Sequence, residues 1–117
     1  MTTQQVADRL VELCRAGKIF EAQVELFSAD ILSIEPDKSP VKTAKGTQAV
    51  TDKAKQFASM IEAVHGGHYS EPIVEGNFFT VGWSLDATLK GMGRVSLEEI
   101  CVYEVKDGKI VLEQFFY

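Results

Sequence analysis

The sequence holds no unbroken hydrophobic run longer than a few residues, far short of the roughly 20 that a helix needs to cross a bilayer, so no membrane span is expected. It has no dense Lys/Arg cluster either, and with 12 basic against 17 acidic residues the net charge is -5. A polyanion finds little to attract it, which argues against nucleic acid as a partner. Cysteine is sparse: Cys14 and Cys101 lie far apart in the chain, form no metal-type or redox-type pair, and read as reduced thiols. The start, MTTQQVADRL, lacks the basic opening and apolar centre of a secretory signal and carries no lipidation signature, so the expected location is cytoplasmic. There is no phosphate-binding loop, dinucleotide fingerprint, nucleophile elbow or HExxH helix. With His65 and His68 the only histidines, a zinc site would be short of ligands; neither metal nor cofactor is expected.

What is present suits one domain spanning 1–117, with 45% hydrophobic and 25% charged residues. Val6, Leu10, Val11 and Leu13 recur at helical spacing behind Thr2 and Thr3, either of which could cap, and Gly17 closes the segment. Ile19, Phe20, Val24 and Phe27 mark a second short helix ending near 28–30. ILSIE at 31–35 is a short strand, followed by a polar loop around Pro36 and Pro40. Thr47 should cap a third helix whose apolar face runs Val50, Ala54, Phe57, Ile61, Val64 until Gly66 and Gly67 stop it. The remainder reads as strands over about 68–75, 78–90, 94–105 and 109–117, divided by the turn sequences EGN, GMG and KDG. The predicted class is α+β, with helices on one face of a mostly antiparallel sheet. The other face would be wet or paired with another subunit.

Alternation separates the two faces of each strand. Phe79, Val81, Trp83, Leu85, Ala87 and Leu89 make an apolar, inward face, and pairing Lys90 with Arg94 puts Val95, Leu97, Glu99, Cys101, Tyr103 and Val105 beside it. Glu99 is then the one formal charge on that surface. A carboxylate there must pair, raise its pKa or sit near the open end of the sheet in reach of water. The last strand admits two registers: a three-residue turn with a bulge at Gly108 turns Val111, Glu113, Phe115 and Tyr117 inward, whereas a two-residue Asp-Gly turn selects Leu112, Gln114 and Phe116. In the first case Glu113 faces Cys101, diagonal to Glu99. Coupled carboxylates of this kind suit acid–base work, although either could simply meet Lys or Arg at the surface.

The segment VELCRAGKIFEAQVELFSADILSIEP resembles the opening of nuclear transport factor two-like proteins, in particular the SnoaL-like and ketosteroid isomerase-like branches. The closing ICVYEVKDGKIVLEQFFY is similar to their last hairpin. The resemblance implies a cystatin-like cone: three helices in the N-terminal half packed on a curved, mostly antiparallel sheet that encloses a pocket, commonly in a homodimer built through the outer sheet face. It also implies that Glu35, before Pro36, stands where ketosteroid isomerases carry the aspartate that moves a proton next to a ketone. Two departures accompany this. Leu10 replaces the oxyanion-holding tyrosine and Cys101 the protonated aspartic acid, a group known in those isomerases for being kept neutral by an apolar site. Losing both donors argues against steroid isomerisation. The resemblance favours the register with Glu113 and Tyr117 inward, and offers His65 as a substitute for the histidine of SnoaL-type cyclases.

The leading expectation is a cytoplasmic, dimeric protein that binds a small apolar organic molecule and carries out cofactor-free proton transfer, isomerisation or cyclisation. Glu35 would be the base, with Glu99 and Glu113 as further acids, and Trp83, Phe57, Phe115, Cys101, Tyr103, Tyr117, Leu10 and His65 would line the pocket. The rival expectation is a non-catalytic ligand-binding or protein-interaction module with the same fold. An empty cavity of roughly 300 Å³ or more with convergent carboxylates favours the first; a filled cone favours the second.

Overall fold

The computed structural model describes all of residues 1–117. Helix α1 spans Thr3–Arg15 and buries Val6, Ala7, Leu10, Val11, Leu13 and Cys14 on one stripe. Its start is set by a capping box in which the Thr2 hydroxyl accepts from the Gln5 amide (3.1 Å) and the Gln5 side chain accepts from the Thr2 amide (2.9 Å). Helix α2 (Ile19–Leu26) is shorter than its apolar pattern predicts. It buries Gln23, not Val24, because the Thr51 hydroxyl donates to the Gln23 amide oxygen at 2.8 Å and satisfies it there.

Phe27 already belongs to β1 (Phe27–Ile34), which continues through a polar loop to a short β2 (Thr43–Lys45). Helix α3 (Thr47–Met60) follows. Its N-cap is Gly46, and the Thr47 hydroxyl donates to the Ser28 carbonyl instead of capping (3.0 Å). The helix also stops earlier than its 3.6-residue period suggests: Ile61 and Val64 lie in β3 (Ile61–Tyr69). β-branched residues fit that pleat, and the two glycines expected to end the helix sit in mid-strand. Gly67 is needed there, since a Cβ would stand 2.5 Å from the Ser84 carbonyl oxygen of the neighbouring strand. The short β4 (Ile73–Glu75) leads into β5 (Phe78–Leu89), β6 (Gly93–Lys106) and β7 (Lys109–Phe116).

The sheet order is β2-β1-β7-β6-β5-β3, with β4 added beside β5; every pairing is antiparallel except β1 with β7. Register irregularities in the β1/β7, β3/β5 and β6/β7 pairs bend the strands, and α1, α2 and α3 close over the inner face. Between β5 and β6 the partners are Leu89 and Gly93, one step tighter than a Lys90–Arg94 pair, but the inward set is unchanged: Trp83 faces Glu99 and Val81 faces Cys101.

The final hairpin resolves the open register in an unexpected way. Its turn is the two-residue Asp107-Gly108 type, both residues at positive φ (53° and 76°), with Lys106 opposite Lys109. That turn alone would direct Leu112 and Gln114 inward. A bulge intervenes, because Val105 pairs with Ile110 while Glu104 pairs with Leu112, leaving Val111 as an extra residue. Ile110 and Glu113 are therefore both buried, and Glu113 lies opposite Tyr103, not Cys101.

Candidate functional site

β1 presents Ile31, Ser33 and, just past its end, Glu35 toward α3; β7 runs parallel beside it, with Ser33 opposite Glu113. Across the gap α3 places Lys53, which shares its inward stripe with Val50 and Phe57 at helical spacing. The Lys53 ammonium donates to Ser33 Oγ (2.6 Å) and to Glu35 Oε1 (3.1 Å), and lies 5.1 Å from the centre of the Phe115 ring. Ser33 in turn donates to Glu113 Oε1 at 2.8 Å, and the Tyr117 hydroxyl donates to Glu35 Oε2 at 2.9 Å. One chain of hydrogen bonds thus runs Glu113–Ser33–Lys53–Glu35–Tyr117, from a glutamate 5% exposed out to a C-terminal tyrosine that meets solvent.

Glu35 and Lys53 form an ion pair with side chains 16% and 24% exposed, shielded enough for their attraction to outweigh that of a surface pair. Glu99 differs from the other two glutamates. No side chain donates a hydrogen bond to it, and its pKa is pushed up to about 7, chiefly by burial and then by the nearby Glu35 charge, with Lys53 pulling the other way. Burial also raises the Glu113 carboxyl, against the hydrogen bond from Ser33 and the charge of Lys53. The Tyr117 phenol is pushed up to about 12 by burial and by its bond to Glu35, so it stays a donor. Beside this cluster Phe57 meets Trp83 edge-on, ring centres 6.4 Å apart, giving an apolar wall next to Glu99.

The structure thus brings together Glu35, Glu99, Glu113, Tyr117, Phe115, Trp83 and Phe57. Leu10, Cys101 and Tyr103 lie deeper, around an apolar void of about 10 Å³, room for one water. Burial pushes the Cys14 and Cys101 thiols up to about 12, so they remain protonated. That void is well below the roughly 300 Å³ that a drug-sized ligand occupies. A depression of about 370 Å³ does exist, but it is open, polar and lined by Met1, Thr2, Asn77, Lys106 and Asp107, at the turn end of β6 and β7 away from the glutamates.

His65 is a correction: it is exposed, with Nε2 2.8 Å from Thr88 Oγ1, on the β5 face opposite to Trp83, so it does not line the site. No group of three or more His, Cys, Asp or Glu side chains is arranged to hold a metal ion. Ser33 and Lys53 were not singled out from the sequence. The available signal was a lysine on the same helical stripe as Val50 and Phe57.

Three helices over a mostly antiparallel sheet, with carboxylates gathered at one end of the covered face, define a cystatin-like, ketosteroid isomerase-like fold. The chain belongs to the SnoaL-like domain family, whose model matches residues 1–117. It is similar over 100% of both chains, at 34% identity and a TM-score of 0.94, to a Mesorhizobium loti protein that carries the provisional name SnoaL-like polyketide cyclase, with carbohydrate phosphatase as a second designation. A Xanthomonas campestris protein of cystatin-like fold matches with a TM-score of 0.82 at 15% identity, over 99% of this chain and 90% of its own. A Catenulispora acidiphila protein of ketosteroid isomerase-like fold, solved with trimethylamine, gives 0.75 at 17% identity, over 99% and 87%. No curated protein matches. No helix is long and apolar enough to cross a membrane.

Proposed function

We propose that this protein binds a small, uncharged, largely apolar organic molecule against Trp83, Phe57 and Phe115 and moves a proton on it without a cofactor, as an isomerase or cyclase. The observation that carries this reading is the unequal setting of two neighbouring carboxylates: Glu35 bonded to Lys53 and Tyr117, Glu99 bonded to no donor side chain. Glu35 takes a proton from carbon next to a carbonyl, and the electron pair moves onto the carbonyl oxygen as an enolate. Return of the proton to another carbon completes an isomerisation. Attack of the enolate carbon on a second carbonyl closes a ring, and protonated Glu99 can neutralise the new alkoxide. The carbon-acid probe 5-nitrobenzisoxazole tests this: saturable turnover well above that of acetate at matched concentration is expected, and a rate no faster than acetate overturns it.

One observation favours the second reading, a non-catalytic module: the interior void holds about 10 Å³. On that reading the probe neither binds nor turns over.

Self-association through the outer sheet face belongs to the same proposal. Ile100 and Phe116 are direct cross-strand partners on that face and are 51% and 49% exposed, an apolar pair that a second copy would cover. Sedimentation at micromolar concentration should give about twice the 12.9 kDa chain mass, and Ile100→Glu should return it to that of one chain. A wild-type protein of single-chain mass removes the dimer.

A further inference from the structure

Removing a proton next to a carbonyl leaves negative charge on the oxygen, and that oxygen needs a donor already in place. The hydroxyl donors of the cluster are committed. Tyr117 donates to Glu35 Oε2 (2.9 Å) and Ser33 to Glu113 Oε1 (2.8 Å). An ammonium, however, carries three N–H donors. Lys53 uses two of them, on Ser33 Oγ (2.6 Å) and Glu35 Oε1 (3.1 Å), and the third has no partner in the protein. The Phe115 ring, its centre 5.1 Å from Nζ, attracts the charge through its face but supplies no oxygen or nitrogen to accept that N–H.

The ammonium can also be reached. Lys53, Phe57, Trp83, Glu99 and Phe115 are all half-buried, so each keeps part of its surface open to an entering molecule. Phe57 lies one turn along α3 from Lys53, on the same stripe. A molecule laid against Phe57 and Phe115 has the free N–H within reach of its oxygen.

We propose that Lys53 is a catalytic residue that holds the enolate oxygen: its free N–H goes to the substrate carbonyl while Glu35, 3.1 Å from the same nitrogen, takes the proton, an assignment that rests on the proton-transfer reading above. Base and cation stand side by side, so the carbon that loses hydrogen is the one bonded directly to the carbonyl. The substrate class is accordingly an uncharged ketone, aldehyde or 1,3-dicarbonyl with hydrogen on that carbon. In the step the C–H bond breaks and the proton goes to Glu35. The C–H electron pair becomes the carbon–carbon double bond, and the carbonyl π pair moves onto oxygen. Lys53 keeps all three of its protons. Before the step its charge faces the Glu35 carboxylate; afterwards Glu35 is neutral and the same cation faces the enolate. One anion replaces the other, and no charge in this shielded pair is stranded.

Binding of 4-nitrophenolate to the full chain tests the contact without turnover. The probe is a stable planar anion whose oxygen stands in for that of the enolate. Glu35→Gln is the background, because the native carboxylate would repel the anion while glutamine keeps an oxygen for Lys53. Glu99 and Glu113 are unchanged in every variant, so their repulsion cancels from the comparison. Absorbance titration, at a pH where the free probe is ionised, should show saturable binding. Adding Lys53→Met, or Lys53→Gln should the methionine variant not fold, should weaken binding about 10- to 100-fold, the loss of one hydrogen bond between charged groups. Lys53→Arg should retain it. 4-Nitroanisole, the same ring without an ionisable oxygen, should bind all these variants alike. Three results overturn the proposal: no saturable phenolate binding to the Glu35→Gln protein, equal affinity once the lysine charge is gone, or an equal loss for nitroanisole. Turnover of the carbon-acid probe by Glu35→Gln tests the base separately. If turnover stays full while phenolate binding depends on Lys53, the oxyanion contact stands and Glu35 alone loses its role. If turnover is lost while phenolate affinity ignores Lys53, the base stands and the role of Lys53 falls.

Discussion

Glu35→Gln is expected to lower turnover of a carbon acid by about 10²- to 10⁴-fold, the usual contribution of a positioned general base, while the protein still folds. The change removes the basic oxygen and little else. Glutamine keeps one carbonyl oxygen, which can go on accepting from Lys53, and its amide can donate to the Tyr117 hydroxyl once that group rotates from donor to acceptor. Lys53 is not left as an isolated buried charge, because Ser33 still links it to Glu113 at 2.6 and 2.8 Å. The stability loss should accordingly stay at about 1–2 kcal/mol, well under the cost of stranding one partner of a fully buried pair. Tyr117→Phe is the matching control. It deletes the donor to Glu35 but not the base, so it should cost much less in rate. Full turnover in a folded Glu35→Gln protein would remove Glu35 from the role of base, whatever else the site does.

The sequence made some parts of this arrangement readable because they depend on neighbours in the chain. Alternation along β5 and β6 placed Trp83 and Glu99 on one face, and that survives the one-step error in pairing, since the shift keeps odd residues opposite odd ones. Glu113 was placed inward by resemblance to the family, but the turn chemistry offered for it was wrong. An Asp-Gly turn and an inward Glu113 coexist through a bulge at Val111, and no local residue type announces that bulge. The end of α3 was misjudged for a related reason. Ile61 and Val64 continue the helical period, yet they are also good strand residues, and the close approach of Gly67 to Ser84 is a tertiary fact. Lys53 was passed over because a lysine in a helix usually marks a solvated face. Its partners are Ser33 on β1 and Glu35 just past the end of that strand, and only the packing of α3 across them turns an ordinary helical lysine into the hub of the site.

Glu99→Gln should stabilise the protein at pH 8 by about 1–2 kcal/mol, and the advantage should vanish on acidification to below about pH 4.5. The sign follows from proton binding. Glu99 in the folded chain titrates near 7 against an ordinary value of 4.5, so between these limits the folded state holds a proton that the unfolded chain has released. Stability from this group is therefore greatest on the acid side and is lost as pH rises from 4.5 to 7, with the penalty constant above. Full linkage would amount to about 3 kcal/mol, but Glu99 is only half withdrawn from water and solvent screens part of it, which reduces the expectation to the lower figure. Gln114 on the other face of β7 offers a contrast: replacing it with Glu should leave the pH profile almost unchanged, since its side chain does not face the carboxylate cluster. Denaturant unfolding of the wild type and Glu99→Gln at several pH values measures the difference directly. A stability gap that is the same at pH 4 and pH 8 would show that Glu99 ionises as freely in the folded protein as in the unfolded chain, and the unequal pair of carboxylates would then have no acid member.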